Sequence, residues 1–249
     1  MVSQLYSGVL APITHDCGFL EASPPVAANA WTTSLAEWLA EQRGGATVEE
    51  LSGDLREQLL RLPPLSKPDS RYLFVDTKSP WTAFWTNGFR GADIEGPMSQ
   101  LARRLRCRTV RVTCVSNAKF RYEDGRPGRR YGAVIWTVFG PDDLPPMNAI
   151  RTVYAANDGG RWSFGAHGTP FPFEDTTRYE ATRTVDRFTP ELLAANLSAM
   201  GIDAFNPEFY RDSGYLIHSF ADLAAKPLQV TLEHARLEAG LTLAKPDVH

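Results

Sequence analysis

The sequence predicts an α+β fold: a largely antiparallel sheet with packed helices and an N-terminal helical hairpin. Three observations carry that prediction. Between Tyr72 and Gly165 the chain holds several runs rich in β-branched and aromatic residues, the composition that suits a half-buried pleated surface. Few helical segments separate those runs, so parallel strands, which need long crossovers, have too little chain to form. Residues 31–62, by contrast, after an irregular start, repeat apolar side chains at helical spacing.

In chain order, Trp31, Leu35, Trp38 and Leu39 share one face of ANAWTTSLAEWLAEQR, and Gly44 and Gly45 stop the run. Thr47, with Glu50 three residues on, reads as the cap of a second helix whose stripe is Leu51, Leu55, Leu59 and Leu62, ending at Pro63 and Pro64. The pair forms the predicted hairpin. The proline-rich LPPLSKPDS, residues 62–70, reads as a linker. Residues 1–70 are then a helical extension docked on a main α+β domain, 71–249, the two making one continuous unit because residues 1–61 bury little core alone.

RYLFVD and WTAFWTN read as strands, and MSQLARRLR as a short helix with Met98, Leu101 and Leu105 on one face. In RTVRVTCVS, Val110, Val112 and Cys114 alternate with polar neighbours, the period of a half-buried strand. YGAVIWTVF, residues 131–139, is apolar on both faces and is predicted to lie inside the sheet. NAIRTVYAAN and RWSFG flank Asp158, Gly159 and Gly160 and form a hairpin. Further on, Thr189 caps a helix with Pro190 at its first position, Leu193, Leu197 and Met200 on its face and Gly201 at its end. Asn206 and Pro207 repeat that start on a shorter element, whereas YLIHSF, LQVTL and EHARLEAG fit strand or helix.

With 43% hydrophobic and 22% charged residues, wholesale disorder is excluded. A formal charge of -3 argues against a uniformly basic nucleic-acid binder. No stretch approaches the roughly 18 apolar residues of a membrane span, and the first 25 residues lack the basic and apolar regions of a targeting signal. Cys17, Cys107 and Cys114 are too few for a disulfide framework. Together these features predict a soluble, cytoplasmic protein with free thiols and no membrane partner.

Phosphate-binding, dinucleotide, nucleophile-elbow, zincin and calcium-loop motifs are all missing from the sequence. No metal or cofactor is therefore predicted. His15, Asp16 and Cys17 are the one local cluster of ligating types among the five histidines, His249 included, and adjacent side chains do not make a tetrahedral site. His167 lies between glycines in FGAHGTPFPFED, where a returning Glu174 supplies the second half of an acid and base pair. The competing reading is a tight loop plugged by Phe171 and Phe173. Trp81 and Trp85 share a strand face near Asp76, Asp93 and Glu95, and form a sugar-like or peptide-like binding surface if that face is open.

The sharpest asymmetry is electrostatic. Residues 97–130 hold ten basic groups against Glu123 and Asp124, and residues 1–70 hold four basic against nine acidic. Arg121, Arg129 and Arg130, interleaved with Phe120 and Tyr122, fit a phosphate-backbone groove, or the basic segment pairs with the acidic N-terminal region or a partner's acids. Protein interaction or self-association ranks above nucleic-acid binding, because alternating strand faces scatter the arginines. The leading reading is a non-enzymatic interaction or accessory protein; the alternatives are an enzyme using His167 and Glu174, and a weak nucleic-acid binder through residues 103–130.

Overall fold

In a computed structural model, residues 5–88, 94–142, 146–221 and 227–241 are described. The elements run β1 (Asp16–Leu20), α1 (Pro24–Leu39), β2 (Gly45–Ser52), α2 (Leu55–Leu59), β3 (Leu65–Lys67), β4 (Arg71–Thr77), β5 (Thr82–Thr86), α3 (Glu95–Leu105) and β6 (Thr109–Val115). They continue with β7 (Ala118–Arg121), β8 (Pro127–Arg130), β9 (Ala133–Phe139), β10 (Ala149–Asp158), β11 (Arg161–Gly168), α4 (Pro190–Ala199), β12 (Tyr210–Phe220), β13 (Leu228–Val230) and α5 (Leu232–Glu238). Nine strands form one sheet in the order β11-β10-β9-β6-β1-β5-β4-β12-β2. Every pairing in it is antiparallel. Two small two-stranded sheets, β13-β3 and β7-β8, complete the β structure.

Strand alternation gives the sheet two apolar faces. On one, Trp85, Val112, Trp136 and Val153 pack with Leu59 of α2, Leu193 and Leu197 of α4 and Ala235 of α5. On the other, Leu20, Phe74, Phe84 and Phe139 pack under Trp31 and Leu35 of α1 and Met98 and Leu101 of α3. The strand expected inside the sheet is β9, held between β6 and β10. β10 and β11 pair across Gly159 and Gly160 as the predicted hairpin. The Thr189 hydroxyl accepts from the Leu192 N–H to cap α4, and Gly201 follows the helix at φ +79°.

The N-terminal helical hairpin does not exist. Its first helix is α1, although Trp38 is 61% exposed and belongs to no buried face. Its second is mostly strand: Thr47 to Glu50 lie in β2, an edge strand paired with β12. The true cap lies seven residues after Thr47, where the Asp54 side chain accepts from the Glu57 N–H and Glu57 accepts from the Asp54 N–H. Gly53, at φ +114°, separates the strand from this short helix. The four-leucine stripe is therefore shared among three pieces of structure: Leu51 in β2, Leu55 and Leu59 in α2, and Leu62 in the turn beyond.

Of the first 70 residues, those of β1 and β2 are woven into the sheet rather than laid upon it. β1 lies between β5 and β6 and joins the two halves of the sheet. The proline-rich segment contains β3, and Leu62, Leu65 and Ser66 are fully buried. Among the described residues, no helix is long and apolar enough to cross a membrane.

Candidate functional site

His167 and Glu174 are not brought together. His167 pairs with Thr152 across β10 and β11, and its ring stacks on Tyr154, 6.3 Å between centroids. Arg151, one residue before Thr152, points to the opposite side of the sheet by strand alternation. There it holds Glu174 through Nη2–Oε2 at 2.6 Å and Nε–Oε1 at 2.9 Å. Glu174 also accepts from the Phe171 N–H at 2.7 Å and the Tyr179 hydroxyl at 2.7 Å. Its lone pairs are engaged and its side chain is 0% exposed. Phe171 and Phe173 stack on each other and lean on Trp136, closing that side.

Trp81 and Trp85 are 3% and 0% exposed. The face they share looks into the core; Trp81 donates its indole N–H to the Met200 carbonyl at 2.9 Å, and Trp85 packs on Tyr210. No aromatic binding surface is open there. Of the acids named beside them, Asp76 meets Arg211 at 3.5 Å and Glu95 meets Arg111 at 2.7 Å. Asp93 lies outside the described residues, as does His249.

All three cysteines are unbridged. Burial is the main force raising their thiol pKa values: Cys107 to about 11, Cys114 to about 12, and Cys17 well above its ordinary value, with Asp16 adding to the effect on Cys17. The thiolate is the reactive form. Iodoacetamide at pH 7 should therefore modify each about a hundredfold or more slowly in the folded protein than in urea; one cysteine reacting at the unfolded rate would refute this. Among the described residues, no group of three His, Cys, Asp or Glu side chains is placed to hold a metal ion.

The arginines of the basic segment separate into two populations. Those on α3, β6 and the turns beside them face carboxylates: Arg104 meets Glu37 of α1 at 2.9 Å, Arg108 meets Glu21 at 2.8 Å, and Arg111 lies between Asp16 and Glu95. Each of these ties joins the basic segment to an acid of the N-terminal region or of α3. The second population is on the β7–β8 hairpin. Lys119 pairs with Arg129 and Arg121 with Pro127, so all three cations share one outward face. All three are exposed.

The inward face of the hairpin is built differently. Phe120 lies against Gly128 and Gly240, where a Cβ at either glycine would collide with its ring. Tyr122 meets Phe120 edge-on at 5.2 Å and donates to the Glu238 carbonyl. Arg130 points the same way. Its Nε and Nη2 donate to the carbonyl and hydroxyl of Ser116, and its Nη1 to the carbonyls of Ala239 and Gly240 beyond α5. Arg130 is thus a tether for the end of that helix, whereas Arg121 and Arg129 are presented to solvent.

Hollows flank the hairpin on several sides. One of about 660 Å³ runs between Tyr122, Arg126, His234 and Leu237, and one of about 330 Å³ lies over Lys119, Arg121 and Arg129. A third, of about 430 Å³, opens between β8, α5 and the start of β1 and reaches His15 and Asp16. Sequence reasoning noticed His15 and Asp16 only as neighbours in the chain; what makes them part of a site is α5, more than 200 residues away. No family model, curated protein or solved structure matches this chain.

Proposed function

We propose that this protein is a non-enzymatic interaction protein that docks an acidic protein segment on the outer face of the β7–β8 hairpin. One observation carries this reading: Lys119, Arg121 and Arg129 stand on one exposed face, and none of them has a carboxylate partner among the described residues, while Arg104, Arg108 and Arg111 in the same basic segment do. Complementary charge at an exposed surface speeds encounter and selects partners. The hairpin is held rigid from below by Phe120 and Arg130, so little ordering is required on docking. Three unbridged thiols fit a reducing, cytoplasmic setting.

A nucleic acid is the less suitable partner. Single-stranded binding combines cations with aromatic faces on which bases stack. Here the aromatic rings of the hairpin are turned inward, Phe120 against glycines and Tyr122 under the Arg126 guanidinium at 5.3 Å.

The test uses a fluorescent ten-residue peptide of alternating Glu and Leu, with a ten-nucleotide single-stranded DNA as comparison. The peptide is expected to bind, more weakly as salt rises. Replacing Lys119, Arg121 and Arg129 together by Glu should weaken it about tenfold or more, since each exposed pair contributes up to about 1 kcal/mol and 1.4 kcal/mol is tenfold. Unchanged binding by the triple variant, or submicromolar DNA binding without peptide binding, would overturn the reading.

A further inference from the structure

The cleft beside β1 carries an independent inference. His15 is only 6% exposed, yet its Nε2 has no hydrogen-bond partner. A buried ring nitrogen left unpaired is costly, and this one lines a cleft of about 430 Å³, within the roughly 300–1,000 Å³ typical of small-molecule sites. Val115 and Ala235 supply apolar wall, and Tyr131, 43% exposed, stands at the mouth.

The charge in the cleft points to the class of ligand. Arg130 lines it and ends on neutral oxygens alone, two from Ser116 and one each from Ala239 and Gly240. A guanidinium has five N–H donors, so one Nη2 proton is left over from these bonds. Of the two carboxylates that also line the cleft, Asp16 is matched by Arg111 at 3.4 Å and Thr113 at 2.9 Å, and Glu238 has Oε1 3.5 Å from the His234 ring on its own helix. The positive charge on that wall has no such counterpart.

We infer that this cleft binds a small flat carboxylate, its anionic group between His15 Nε2 and Arg130 and its apolar body between Val115 and Tyr131. A neutral imidazole with Nε2 protonated donates to the carboxylate, and Arg130 supplies the counter-charge. Burial and then the charges of Arg130 and Arg236 lower the His15 pKa to about 4, so the ring is neutral near pH 7 and sits in a positive field.

Benzoate is the minimal probe, with benzamide and benzylamine as neutral and cationic counterparts of the same shape, and inorganic phosphate as an anion without a ring. Titration at pH 7, followed through the His15 ring resonances, should show saturable shifts with benzoate and at least tenfold weaker effects with the other three. His15→Gln should weaken benzoate at least tenfold, read by calorimetry. If that variant fails to fold, Tyr131→Ala, at an exposed wall position, should weaken benzoate severalfold while leaving the fold intact. No shift of the His15 signals at millimolar benzoate, equal binding of benzamide, or undiminished affinity in a folded variant would overturn the inference. None of these readouts involves the acidic peptide, so either proposal can fail alone.

Discussion

Glu174→Ala is expected to lower the free energy of unfolding by about 3–5 kcal/mol, because it strands Arg151 as a buried charge without its partner. Arg151 and Glu174 are 2% and 0% exposed, and neither can recover water without opening the loop that covers them. The carboxylate also binds the Phe171 N–H and the Tyr179 hydroxyl. Burial, reinforced by that bond to Glu174, pushes the Tyr179 phenol up to about 12, so it remains a donor throughout the neutral range. Losing the carboxylate therefore takes the acceptor away from four donor groups on three residues at once. Glu174→Gln keeps the shape and one acceptor oxygen and should cost less. His167→Ala, at an exposed position on the other side of the sheet, should change stability by no more than about 0.5 kcal/mol. Urea unfolding of the three variants checks the order; a Glu174→Ala loss below 1 kcal/mol, or His167→Ala costing as much, would show that the pair does not organise the loop.

The sheet was legible in the sequence wherever periodicity was local. β6, β9 and the β10–β11 hairpin follow from alternation and from the glycine turn, and α4 from its cap, proline and closing glycine. β1 was not legible because its strand character depends on distant partners. Asp16 is an unfavourable strand residue until Arg111 and Thr113 reach it, and Gly18 is a weak one until the Met98 side chain of α3 occupies the space above it. β2 was misread because Thr47 and Glu50 imitate a capping box, and only Gly53 and the true box at Asp54 break the apparent helix. At the candidate site, the arginines were visible as a cluster but not as two populations. Which of them face carboxylates is decided by Glu21 and Glu37, whose approach is tertiary. The alternation of Lys119, Arg121 and Arg129 against Phe120 and Arg130 was written in the chain, yet it had meaning only once α5 was seen to cover one face.

His15 carries the second large effect, and its sign follows from which state binds the proton. In the unfolded chain an imidazole titrates near its ordinary value of 6.5, whereas in the folded protein burial, helped by Arg130 and Arg236, holds it down to about 4. Between those values the unfolded chain takes up a proton that the native state refuses, so stability increases with pH across that window. The contribution is fully present above about pH 6.5 and is lost as the pH falls through 4; a shift of this size corresponds to about 3 kcal/mol. The charges that add to burial are those of Arg130 and Arg236, both positive, and the Asp16 carboxylate beside the ring is held by Arg111. His218 is lowered for the same reason, burial first and then Arg71, and adds to the slope in the same direction. Urea midpoints measured from pH 7 to pH 4 should fall steeply in the unmodified protein and much less in His15→Gln, which has no proton to gain. A flat profile in the unmodified protein, or an equal slope in the variant, would refute the assignment. Saturating benzoate should also flatten the curve, because a carboxylate against Nε2 stabilises the imidazolium and lifts its pKa back toward 6.5. The pH profile and the ligand titration therefore measure the same imidazole by independent routes.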